Sequence, residues 1–144
     1  MPEFQLKVEP HDAWYNGLDD FTKGYIEAAF FTDTGSQDDA DNGLADACVS
    51  ELAPQARVMI TVDCREFQEK NAKLLQCAYL LDYDEEQAGR DFWFTRNGHG
   101  VGFWDRDALE VGTDITLGEE LSDRCSGWGE RHLYRGDDEL IYVG

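Results

Sequence analysis

Basic residues are scarce in this chain. Twelve Lys and Arg stand against thirty-one Asp and Glu, a formal charge of -19 over 144 residues. The imbalance is general: residues 1–60 hold twelve acids and three bases, and residues 61–144 hold nineteen and nine. No acidic tail is appended to a neutral body; the whole chain is acidic. Such a surface repels nucleic-acid phosphates and anionic membranes, and attracts basic protein clefts at long range. Apolar runs are also short. None approaches the roughly 18–20 residues that a membrane-spanning helix needs. Met1-Pro2-Glu3-Phe4 lacks the basic and apolar regions of a secretory leader, so a cytoplasmic protein is expected. Cysteine is limited to Cys48, Cys64, Cys77 and Cys125, with no CxxC pair. That spacing argues against a zinc knuckle or a dithiol redox site and for small buried thiols in a reducing compartment.

What is present suffices for a core: 42% of residues are apolar and 12% aromatic, which argues against wholesale disorder. Residues 4–9 alternate apolar and polar, as a short strand does. Asp19 or Asp20 can cap a helix to about Phe31, in which Gly24 costs roughly 1 kcal/mol against Ala. Residues 32–43 read as a loop. Leu44–Leu52 read as a helix that Pro54 ends, and 58–62 as a short strand or the lead into the next helix. Asp63, with Glu66 three residues on, predicts a helix start running to about Leu81. Residues 82–89 read as a polar break with room for one short helical turn. From Asp91 the period changes to two: Phe92, Phe94 and Arg96 alternate with Asp91, Trp93 and Thr95. Asn97-Gly98 then predicts a hairpin turn and a return strand, 101–105. Asp114 or Thr116 can cap a helix to about Cys125. Residues 132–135 and 140–143 predict a closing hairpin. The expected fold is a single α+β domain. It has an antiparallel sheet of about four strands and three to four helices packed on one face.

The run from Asp91 to Arg106, Asp91-Phe92-Trp93-Phe94-Thr95-Arg96-Asn97-Gly98-His99-Gly100-Val101-Gly102-Phe103-Trp104-Asp105-Arg106, resembles a signature of small acidic phage and prophage proteins. It is similarly preceded by Gln87-Ala88-Gly89. It is followed by a helix and by Leu133-Tyr134, Gly136-Asp137-Asp138 and Ile141-Tyr142. The resemblance spans roughly residues 60–144. It implies a mobile-element origin and residence in the host-cell cytoplasm; it supplies no mechanism. Antirestriction and some anti-CRISPR proteins, which are small, acidic and phage-encoded, counter host defences by imitating DNA, and offer an analogy of class.

Four constellations bear on chemistry. His99, flanked by glycines and near Asp105 and Asp107, fits a general base, yet no nucleophile or second ligand-spaced His accompanies it. The bland reading makes turn and core of the same residues, with Arg96 paired to Asp105 across the strands. Gly98-His99-Gly100-Val101-Gly102 lacks the Lys-Ser/Thr and following helix of a phosphate loop. Asp38–Gly43 lacks the acids an EF-hand requires at its third and twelfth positions. No cofactor is expected. The remaining candidates are the acids themselves. Duplex DNA carries one negative charge per roughly 1.7 Å of axis, and a protein imitating it must set carboxylates in comparable rows. The candidate partner-binding residues are Asp33, Asp38, Asp39, Asp41 and Asp46; Asp82, Asp84, Glu85 and Glu86; Glu119, Glu120 and Asp123; and Asp137, Asp138 and Glu139. The expected partner is a basic, nucleic-acid-binding host protein, with no direct contact to nucleic acid or membrane. If the acids are scattered, their meaning is solubility alone. A small enzyme built on His99, and a virion-associated interaction protein, are the alternatives.

Overall fold

The structure, a computed structural model, describes residues 6–34 and 47–144. These residues form six α-helices and one two-stranded ladder: α1 (Ala13–Asn16), α2 (Asp20–Thr34), α3 (Pro54–Lys70), α4 (Ala72–Tyr79), α5 (Glu85–Arg96), α6 (Leu117–Cys125), β1 (Leu133–Arg135) and β2 (Ile141–Val143). Single 3-10 turns lie at Val49–Glu51, Phe103–Asp105 and Asp107–Leu109. The expected four-stranded α+β sheet is therefore overturned; the described fold is mostly helical.

Helix α2 is central. The Asp19 carboxylate caps it by accepting from the Thr22 amide at 2.8 Å. Phe21, Tyr25, Ile26, Ala28, Ala29 and Phe30 are all buried, so the helix is covered on nearly every side. Its main neighbour is α5. A Cβ at Gly24 would stand 2.0 Å from the Glu86 carbonyl oxygen, and one at Gly89 would stand 1.8 Å from that of Phe21. The two backbones meet where each helix lacks a side chain. Gly24 is thus a packing requirement rather than a weakness.

Helix α5 replaces the first strand of the expected central hairpin. Ala88, Gly89, Phe92, Trp93 and Arg96 are buried, spaced as one helical face, while Phe94 and Thr95 are only partly covered. The alternation in 91–96 thus carried no burial pattern. Asp84 accepts from the Gln87 amide at 2.7 Å and starts the helix inside the expected polar break. Asn97-Gly98 ends it. Gly98 has φ +66°, its N–H donates to Thr95 O at 3.3 Å, and the His99 N–H donates to Phe94 O at 3.1 Å. This pair of bonds is a Schellman cap, which needs the same left-handed glycine as a hairpin turn. The expected return strand, 101–105, holds a 3-10 turn instead.

Pro54 starts α3 rather than ending a helix before it, as its fixed φ and missing N–H allow at the first helical position. Asp63 consequently lies inside α3 and caps nothing. Among the described residues of the expected 44–52 helix, Cys48 bridges Lys7 and Leu52 bridges Ile141. Of the expected first strand, only Lys7 makes a bridge among the described residues. The α2 and α6 helices and the closing hairpin lie where expected. In the hairpin Leu133 opposes Val143 and Arg135 opposes Ile141, with Leu133, Ile141 and Val143 facing the core. That core is strongly aromatic. Phe67 stacks on Phe92 at 4.1 Å between centroids, and Tyr25 meets Trp93 edge-on at 5.2 Å.

Candidate functional site

The run from Asp91 to Arg106 is largely structural framework. Asp91, fully buried, accepts from Arg106 Nη2 at 2.6 Å and Nε at 3.0 Å, from the Tyr83 hydroxyl at 2.6 Å, and from Gln87 Nε2 at 3.1 Å. This pairing holds Arg106 in its charged form, through the hydrogen bonds first. Arg96 is not paired with Asp105. It donates to Asp63 at 2.8 Å, to the Tyr25 hydroxyl at 3.0 Å, and to the carbonyls of Trp128 and Gly129 at 2.9 Å each. Asn97 accepts from the Arg131 amide at 2.8 Å. The Trp93 indole N–H donates to Thr32 Oγ1 at 2.8 Å, and Trp104 is half exposed.

His99 is exposed in the cap of α5, with its ring edge-on to Phe94 at 6.3 Å. That contact joins the positions that a Schellman cap brings together. No hydrogen bond or ion pair joins His99 to Asp105 or Asp107 among the described residues. No group of three or more metal-capable side chains occurs among them either. Cys64 and Cys125 are buried, and burial pushes the Cys125 thiol up to about 12. Cys77 is exposed, unlike the buried thiols expected.

Of the candidate acids, Asp137 and Asp138 line a shallow hollow of about 380 Å³ beside Tyr134 and Tyr142, and a larger group meets around a single cleft. Asp82, Asp84, Glu85 and Glu86 join Asp20, Tyr79 and Tyr83 around a cleft of about 470 Å³. The first turns of α2 and α5 and the end of α4 form its walls. Asp82 has φ +60° and turns the chain from α4 to α5. The local reason for acid here is partly the helix starts: carboxylates there accept orphan amides and suit the macrodipole. Asp84 caps α5 in this way, yet Glu85, Glu86, Asp82 and Asp20 crowd the same opening. The field shows on neighbouring groups. Burial, then Glu85, Asp19 and Asp84, raises the Tyr79 hydroxyl. Burial, then Glu27 and Glu86, raises that of Tyr15. Asp19 is lowered despite its burial, because Thr22 and Gln68 donate to its carboxylate.

Cations barely reach the cleft. Arg90 meets Glu86 at 2.9 Å and Glu27 at 3.6 Å, and no lysine or arginine lines the cavity. Several of the bases are engaged elsewhere. Arg96 and Arg106 lie in core pairs, Arg135 meets Glu51 at 2.7 Å, and Lys23, Arg57 and Lys70 stand over aromatic rings.

The other candidates do not join this cleft. Glu119, Glu120 and Asp123 lie on α6, and the Glu119 amide meets the Thr116 cap. Asp137, Asp138 and Glu139 form the hairpin turn. There the Asp138 carboxylate accepts from the Tyr142 hydroxyl and the Leu140 amide, which lower it. Asp33 ends α2, outside the described side chains. Asp38, Asp39, Asp41 and Asp46 lie outside the described residues, as does the loop weighed for calcium. Sequence reasoning treated Asp20 only as a cap and missed Tyr79 and Tyr83. Tyr79 and Tyr83 lie within seven residues of the 82–86 acids, whereas Asp20 joins them through the α2–α5 crossing, for which the paired glycines were the available signal.

Comparison with family models, with curated proteins and with solved structures gives no match for this chain. No helix among the described residues is long and apolar enough to cross a membrane.

Proposed function

We propose that the chain is a phage-encoded, non-enzymatic inhibitor whose acidic cleft docks on a basic, nucleic-acid-handling host protein of a restriction or CRISPR defence. The observation that carries this reading is the cleft: five carboxylates, from Asp20, Asp82, Asp84, Glu85 and Glu86, around one opening with no lining base. Arg and Lys side chains that ordinarily hold phosphates pair with these carboxylates, so the inhibitor competes with nucleic acid for one groove. The mechanism uses no cofactor and no contact with nucleic acid.

The test is inhibition of DNA cleavage by a panel of purified restriction and CRISPR effector complexes. Inhibition of at least one is expected, weakening steeply with salt. The Asp20→Asn/Asp82→Asn/Glu85→Gln/Glu86→Gln variant removes four charges and is expected to raise the inhibitory concentration by about tenfold or more. Full inhibition by this variant, or inhibition indifferent to salt, sinks the decoy. His99→Ala lies outside the cleft and is expected to inhibit normally; selective loss there favours an enzymatic reading.

A further inference from the structure

A second surface has the opposite character and shares no residue with the acidic cleft. Seven large apolar side chains are exposed among the described residues, and three of them, Leu80 (86% exposed), Val111 (42%) and Ile115 (41%), fall together. With Leu74, Leu81 and Leu117 they line a groove of about 430 Å³ between α4, the 111–115 segment and α6. Leu74 also lines an adjoining concavity of about 450 Å³, whose charged walls are Lys70, Lys73, Arg124 and Glu69.

The two hollows form one trough by helical geometry. Leu74 and Cys77 lie three apart on α4, with Leu80 and Leu81 just past its end, and Leu117, Glu120 and Arg124 recur at three and four on α6. Each set is therefore one stripe, and both stripes line these hollows. The trough is apolar at the Leu80–Ile115 end, where Glu120 is the one charged side chain lining it, and at the Lys73–Arg124 end three bases outnumber Glu69.

The cationic end is not explained by the fold alone. Lys70 and Arg124 sit in the last turns of α3 and α6, where the macrodipole favours them. Lys73 is in the first turn of α4, where it disfavours a cation. The Asn71 side chain does not cap that helix; its amide donates to Phe67 O at 2.9 Å. Neither Lys73 nor Arg124 makes an ion pair among the described residues. Three of the chain's twelve bases thus stand together against its overall sign.

We propose that this trough binds an acidic amphipathic segment of a partner protein: apolar side chains at helical spacing fill the Leu80–Ile115 end, and carboxylates beyond them pair with Lys73 and Arg124. Local charge decides over net charge because, at physiological ionic strength, fields are screened beyond roughly 8 Å. This inference does not rest on the decoy reading, and the two stand or fall separately.

The probe is a fluorescein-labelled peptide with three leucines at helical spacing followed by three glutamates; its control carries lysines in place of the glutamates. Net charge predicts that the lysine peptide binds better. The trough predicts the reverse: saturable binding of the glutamate peptide, about tenfold tighter than the control. Leu80→Asp is expected to weaken it by about tenfold, and Lys73→Glu/Arg124→Glu to reverse the preference. These side chains point away from the core, so unchanged thermal melts are expected for all variants. Three results overturn the proposal: a lysine peptide that binds as tightly, a glutamate peptide indifferent to Leu80→Asp, or a self-associated chain that Leu80→Asp disperses, which would assign the groove to a second copy.

Discussion

Arg96 ties three parts of the chain together. Its side chain has no exposure and bonds α2 through Tyr25, α3 through Asp63, and the segment before β1 through two carbonyls. The guanidinium also stands 5.2 Å from the Phe92 ring and 5.7 Å from that of Trp128. Arg96→Met would leave Asp63 with only Arg131, at 3.8 Å, and two carbonyls without a donor. A loss of about 3–5 kcal/mol is expected in chemical denaturation. Arg96→Lys is expected to lose nearly as much, because an ammonium cannot reach the same fork of acceptors. A loss below about 1 kcal/mol would mean that the pair is dispensable to the fold. None of this was legible in the sequence. Local spacing offered Arg96 the nearby Asp105, and offered Asp63 a capping role, whereas the true pair is separated by 33 residues.

The crossing of α2 and α5 sets two local preferences against each other. In an isolated helix, replacing glycine by alanine gains about 1 kcal/mol. Here a Cβ at Gly24 or Gly89 would fall at 2.0 or 1.8 Å from a carbonyl oxygen of the other helix. Backbone cannot yield as a flexible side chain can. Gly24→Ala and Gly89→Ala are therefore expected to destabilise by about 1–3 kcal/mol each, net of the propensity gain. A rise in melting temperature for either would refute the close crossing. The same elements show what the sequence could reveal. Helices α2 and α6 were readable because Asp19 and Thr116 cap them locally. The closing hairpin was readable because its alternation coincides with burial of Leu133, Ile141 and Val143. Helix α5 was not, since Phe, Trp and Thr favour strands and Asn-Gly supplies the left-handed turn that hairpins and helix caps both use. What fixed 85–96 as helix is its glycine contact with α2, a long-range fact. The acidic cleft inherited that blindness: its acids were nameable, but their meeting place depended on the same crossing.

At the scale of the whole molecule, acidity and buried tyrosine make the fold sensitive to alkali. Tyr25 and Tyr83 are 1% and 7% exposed, and burial, first of all, raises both hydroxyls far above their ordinary range. Arg96 opposes this at Tyr25, whereas Asp91 reinforces it at Tyr83. A raised value means that the folded state favours the neutral phenol. The resulting stability is complete below about pH 10, the ordinary tyrosine value, and is lost as pH rises through the folded values. Over that interval the unfolded chain has released protons that the folded chain retains. Each retained proton lowers stability by about 1.4 kcal/mol per pH unit, so these two contribute about 2.7 to the slope, to which the raised Tyr79 hydroxyl and the buried Cys64 and Cys125 thiols add. The tyrosinate absorbance of Tyr25 and Tyr83 is thus expected to appear only with the loss of tertiary structure. Salt separates this burial effect from self-repulsion of the acidic surface, because it screens surface charge and leaves desolvation of a buried phenol untouched. Added salt should therefore raise overall stability while the alkaline slope stays the same. Tyr83→Phe removes one retained proton and should lower that slope by about 1.4 kcal/mol per pH unit. It also strips one donor from Asp91, costing about 1–3 kcal/mol at neutral pH. A slope unchanged in Tyr83→Phe would place the alkaline sensitivity in surface charge instead.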